Sequence, residues 1–201
     1  FKLPMIEIRF ADFLSSNSTL EPTLMEALLN RCKNVHIKKG DFWLRAGEAC
    51  QQTLFVENGL LRYYSIDDKG KEHLLQFAPE GWFVSDRASI FFNEPSAYFI
   101  QALEDTEAII LDESFMLDLA KKDVSFMEFN NKLLHNHIRQ LQNRINQLLS
   151  ASAEERYLHF TRIYPDILLR VPQLMVASYL GITPESLSRV RKELAQRNHK
   201  S

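Results

Sequence analysis

The chain has 201 residues, 45% of them hydrophobic and 25% charged, and its 24 Lys and Arg against 26 Asp and Glu leave a formal net charge of −2. This is the make-up of an ordinary globular protein long enough for one large domain or two small ones, each with its own core. The total charge gives no sign of nucleic acid, but its distribution does: residues 1–150 carry 16 basic and 21 acidic side chains, whereas residues 151–201 carry 8 and 5.

Cys32 and Cys50 are the only cysteines, too few for a disulfide framework, a zinc site or an iron–sulfur cluster held by this chain alone. No apolar run is long enough to span a bilayer, and the N-terminus lacks the order of a signal peptide. The expectation is a reduced, cytoplasmic protein with no membrane partner. The chain starts at Phe1 rather than Met, so residues are expected to be missing before it.

In chain order, Glu21-Pro22 leads into Leu24, Leu28 and Leu29 at helical spacing. From Val35 to about Leu111 short β-rich runs follow: Val35–Ile37, Thr53–Val56, Leu60–Ile66, His73–Phe77, Tyr98–Ile100 and Ala108–Leu111. Gly40, Gly47, Gly59, Asp67 to Gly70 and Glu80-Gly81 mark the turns. Several short strands at regular spacing predict an antiparallel sandwich or roll. From Ser114 the period becomes helical. Leu134, Ile138, Leu141, Ile145 and Leu148 are spaced four, three, four, three, a heptad seam with Ile at a and Leu at d that favours a parallel two-stranded coiled coil, and Asn131 falls on an a position. The predicted domains are a β-roll over 1–125, a dimerisation helix over 126–150 and a basic, helical domain over 151–201. Glu154 to Tyr164 reads as a further helix, ended by Pro165.

Gln173 to Arg191 reads as two helices joined at Leu180-Gly181-Ile182. Val176, Ala177, Leu180, Ile182, Leu187 and Val190 fall where two steeply crossing helices must touch. Thr183 suits the N-cap and Pro184 the first helical position. Thr183, Glu185, Ser186, Ser188, Arg189 and Lys192 are then the DNA-contacting candidates, with Arg191 and Arg197 also facing phosphate. Arg pairs bidentate with guanine, and Glu accepts from the cytosine amino group.

A roll, a long dimerising helix and a C-terminal helix-turn-helix, taken with Lys39-Gly40, Ala46-Gly47-Glu48, Asn58 to Arg62, Ala102 to Thr106 and Glu185-Ser186-Leu187-Ser188-Arg189, resemble the Crp/Fnr family of bacterial transcription regulators. The resemblance implies an α+β protein: an antiparallel β-roll like that of cyclic-nucleotide-binding domains, a dimerisation helix and a winged helix-turn-helix. It implies a homodimer on double-stranded DNA, half-sites with a TTGA core, and RNA polymerase as a further partner if the protein activates. Val171 to Arg191, Tyr63-Tyr64 and Gly81 to Asp86 are most similar to members from Bacteroidetes.

In members of this family that bind cyclic AMP, a Gly-Glu pair and then an Arg before a Ser/Thr-Ala step hold the phosphate. Here those positions read Ser85-Asp86 and Pro95 before Ser96-Ala97. Cyclic AMP is therefore not expected. The candidate effector pocket comprises Trp82, Phe83, Ser85, Asp86, Arg87, Ser96 and Ala97, with Tyr98 at its border. It is expected to be apolar, with Arg87 ion-paired to Asp86 or solvated. The six histidines, at 36, 73, 135, 137, 159 and 199, form no metal set, and no catalytic constellation stands out, so no enzyme is expected. Two rival readings remain: a cupin-like β-roll metalloenzyme, for which only His36 and His73 lie in the roll, and a regulator of the same fold that takes no ligand.

Overall fold

The computed structural model describes residues 8–198; His199 and the start of the chain lie outside them. The chain divides into two units, one running to Lys71 and resuming over Leu75–Leu134, the other comprising Glu72–Leu74 and the chain from His135 onward.

The first unit is built on eight strands: β1 Lys33–Ile37, β2 Phe42–Leu44, β3 Gln52–Asn58, β4 Leu61–Ile66, β5 Glu72–Ala78, β6 Phe83–Val84, β7 Phe99–Ala102 and β8 Thr106–Asp112. They form two four-stranded sheets, ordered β1-β8-β3-β6 and β2-β7-β4-β5. All six predicted strands are present. Two were missed, β2 and β6, being three and two residues long and too short for alternation to register.

Alternation along the strands divides the apolar residues between two cores. Leu54 and Val56 of β3 and Ala108 of β8 join Leu61, Ile100 and Ala102 in one cluster. Phe55, Ile109 and Leu111 point to the opposite face. There they pack under helices α1 Phe10–Asn17, α2 Pro22–Arg31, α4 Glu113–Lys122 and the start of α5 Val124–Ser150, through Phe10, Leu14, Leu28, Met116, Phe126 and Phe129. A strand buried on both faces carries an unbroken apolar run, as Leu54-Phe55-Val56 does. Between β3 and β4, Gly59 has φ +104°, and a Cβ there would lie 2.6 Å from the Asp105 carbonyl oxygen, so only glycine fits. The remaining helix of this unit is α3 Arg87–Phe92.

In the second unit the latter part of α5 is followed by α6 Ala153–Ile163, α7 Ile167–Arg170, α8 Gln173–Leu180 and α9 Pro184–Asn198. Ser152 and Glu155 start α6 with a reciprocal capping box. Its core holds Val176, Ala177, Leu180, Leu187 and Val190, as the helix-turn-helix pattern requires, whereas Ile182 is only half-buried. Phe160, Tyr164 and Tyr179 complete the core as an aromatic triad with ring centroids 5.2–5.6 Å apart. Among the described residues this unit contains no strand outside Glu72–Leu74.

Candidate nucleic-acid interface and roll cassette

The turn before α9 is set by backbone chemistry. Gly181 closes α8 in the left-handed region, at φ 65° and ψ 35°. Thr183 then caps α9, its Oγ1 accepting from the Ser186 amide at 3.2 Å. Leu187 and Val190 are buried, which leaves Glu185, Ser188, Arg189 and Lys192 exposed at spacings of three, four and seven, one face of the helix. Ser186 is half-buried and shares its hydroxyl with Thr183 at 3.2 Å. The Glu185 carboxyl is held below the usual carboxylate range by its own backbone amide and the Thr183 hydroxyl, so it is an ionised acceptor at neutral pH.

Of the two further phosphate candidates, Arg191 is half-buried. Arg197 is engaged by Glu154 of α6 through two hydrogen bonds of 2.8 Å. Reach across 43 residues is invisible to helical periodicity.

Along α5 the five seam residues Leu134, Ile138, Leu141, Ile145 and Leu148 are 41–56% exposed, and Val124 and Met127 are exposed too, at 67% and 41%. Val124 and Met127 continue the same a and d positions one heptad towards the N-terminus, with exposed Asn131 between them and Leu134. The sequence reading missed this extension, although the four-three spacing already carries it.

In the roll, Asp86 caps α3. Its Oδ1 accepts from the amides of Ala88 and Ser89 at 3.1 and 3.2 Å, and its Oδ2 accepts from the Ser96 hydroxyl at 2.7 Å. Asp86 and Ser96 are each 4% exposed. The expected cassette residues Asp86 and Ser96 thus meet, and the carboxylate occupies the donors around it. The other expected residues diverge. Arg87 pairs at 2.8 Å with Glu113, not with Asp86. Phe83 packs on the helical side of the sheet against Phe10, Phe13 and Phe55. Ala97 is exposed, and Trp82 is half-buried against the roll core. Tyr98 stacks near Tyr63, with centroids 4.9 Å apart. Burial and the nearby Asp86 charge push the Tyr63 phenol far above its ordinary range.

A surface recess of about 320 Å³ lies elsewhere, lined by Asn34, Glu57, Asn58, Glu107 and Ala108, none of them an expected effector residue. Among the described residues no group of three or more His, Cys, Asp and Glu side chains is placed to hold a metal ion. Burial pushes the Cys32 thiol up to about 11, an unreactive setting.

Residues 34–123 match the family model described as the cyclic nucleotide-binding domain. The chain is 27% identical over 184 residues to an anaerobic regulatory protein of Pasteurella multocida, covering 84% of this chain and 67% of that protein. It is 27% identical over 165 residues to a fumarate and nitrate reduction regulatory protein of Vibrio cholerae, covering 77% and 65%. It therefore spans about two thirds of the length of these relatives. These relatives give no support to the Bacteroidetes expectation, which is not borne out. Among solved structures, FixK2 of Bradyrhizobium japonicum superposes with a TM-score of 0.71 at 18% identity, covering 83% of this chain and 86% of that one. A Crp/Fnr-family protein of Eubacterium rectale superposes with a TM-score of 0.66 at 20% identity, covering 92% and 87%. At these identities the structural likeness is one of fold. Residues 34–123 thus match the cyclic nucleotide-binding domain, and the chain as a whole, a β-roll followed by a capped helix-turn-helix, is similar to regulators of the Crp/Fnr family and shares their fold.

Proposed function

We propose that two copies of the chain pair along α5 and present both α9 helices to successive major grooves of an operator made of inverted half-sites. The exposed face of α9 carries this reading: Glu185, Ser188, Arg189 and Lys192 stand free of the core that Leu187 and Val190 fix. Arg189 pairs with guanine, Glu185 accepts from a cytosine amino group, and Lys192 contacts phosphate. Seven exposed large apolar side chains on one stripe of α5 support the pairing, because a single copy leaves them in water.

The roll is not a cyclic-nucleotide receptor in this reading. A cyclic phosphate brought to the cassette would meet the Asp86 carboxylate already seated on the amides and hydroxyl it needs, and Pro95 supplies no guanidinium. The protein works in the cytoplasm, and RNA polymerase is its partner where it activates. Among the described residues no helix is long and apolar enough to cross a membrane.

Selection of bound sequences from random DNA tests the proposal. The expected result is two inverted half-sites with a TTGA core, about one helical turn apart. Recovery of sequences without any inverted repeat would refute it.

A further inference from the structure

A helix leaves its last four carbonyls without partners inside the helix, and the partners found at the end of α8 come from three different places. Ala177 O accepts from the Ile182 amide and Ser178 O from the Gly181 amide, both at 3.1 Å, so the turn itself satisfies two. Tyr179 O accepts from Arg144 Nη2 of α5 at 2.6 Å, and Leu180 O accepts from Arg156 Nη1 of α6 at 2.8 Å. Both guanidiniums stand where the helix dipole favours a cation.

The Arg144 guanidinium also lies over the Tyr179 ring, 3.6 Å from its centroid, and that ring is wedged against Phe160 and Tyr164. Leu148, one helical turn beyond Arg144, reaches the turn as well. A Cβ on Gly181 would come within 3.1 Å of Leu148 Cδ2 and 3.4 Å of Arg156 Nη1. The same strip of α5 therefore meets the end of α8 twice, at Tyr179 and at Gly181, just ahead of the Thr183 cap that starts α9.

We propose that Arg144 and Arg156 are positioning residues that fix the direction of α9 relative to α5 by closing the C-terminal end of α8, so that the two reading helices of a dimer are held at one spacing. This rests on the operator reading above. Neither guanidinium touches DNA in this proposal. Their planar forks hold an angle that a flexible ammonium would not.

The full chain is compared with Arg144→Gln, Arg144→Lys and Arg156→Gln. Sedimentation, thermal unfolding and binding to DNA carrying one half-site or two inverted half-sites at varied separations are measured. Arg144→Gln is expected to stay dimeric, to keep its single half-site affinity within about twofold, and to lose at least about tenfold on the best-spaced pair, the scale of one charge-assisted hydrogen bond. Its preference for one separation should broaden, and Arg156→Gln should behave alike. Arg144→Lys should recover the melting temperature but not the spacing preference. A sharp spacing optimum retained in both Gln variants would overturn the inference. So would a parallel fall in one-site and two-site affinity, the mark of a merely less folded protein. Unmodified protein with no preference for paired half-sites would instead refute the operator reading before any variant is compared.

Discussion

Ser96 donates its hydroxyl hydrogen to Asp86 Oδ2 across 2.7 Å, joining two side chains that are each 4% exposed. The same carboxylate caps α3, so one residue closes the cassette and fixes the loop that leads into it. Removing it as Asp86→Ala strips a cap and takes the best acceptor from a buried hydroxyl that still accepts from the Tyr98 amide at 3.0 Å, and should cost about 1–3 kcal/mol by denaturant unfolding. In the unmodified protein, calorimetric titration with cyclic AMP and cyclic GMP should give no binding heat. Micromolar affinity for either would mean that the carboxylate yields its donors to a phosphate.

The α5 seam is predicted to hold the dimer. Asp at both Ile138 and Leu141 places two charges on adjoining a and d positions, and sedimentation should then report monomers. A Val124→Asp, Met127→Asp pair should weaken the dimer without abolishing it, since it touches only one end of the stripe. A double Ile138, Leu141 variant that remained dimeric would place the interface elsewhere.

Base reading and phosphate anchoring separate by experiment. Arg189→Ala should cost about 1–3 kcal/mol on the preferred operator and relax the choice of base at one position per half-site. Lys192→Ala should weaken all sequences alike and make the salt dependence shallower by about one phosphate contact. If both substitutions changed affinity uniformly across sequences, α9 would be anchoring rather than reading.

Gly59→Ala should destabilise the roll by more than about 2 kcal/mol, because a Cβ at φ +104° would meet the Asp105 carbonyl oxygen at 2.6 Å. An alanine variant melting with the parent would require the β3–β4 turn to relax more freely than its contact with Thr106 allows.

His159 of α6 sets a pH dependence. Burial, and after it the Arg162 charge, lower its pKa from the ordinary value of 6.5, so protonation favours the unfolded chain. Its contribution to stability is complete above about pH 6.5 and is lost as the pH falls through the depressed folded value. Unfolding midpoints measured through that window should decline less in His159→Gln than in the parent. Equal declines would assign the acid sensitivity to other groups.

Six strands, the long α5 helix, the helix-turn-helix and the Thr183 cap were legible in the sequence. Each rests on local signals: a period of two or 3.6, a glycine or proline at a boundary, a cap three residues from its amide. The α5 stripe is legible too, and Val124 and Met127 extend it by the same four-three spacing. What the tertiary structure alone decided is which side chains meet across long stretches of chain. Arg87 turns to Glu113 and away from Asp86, and Phe83 faces the helical core. Arg197 is held by Glu154, and Arg144 and Arg156 close α8. Periodicity places a residue on a face but says nothing of the atom opposite it, and a guanidinium on a long flexible stem reaches any acceptor that packing brings within hydrogen-bonding distance. The elements were therefore set by the order of residues, and the closed cassette and braced turn by the fold that brought distant donors and acceptors together.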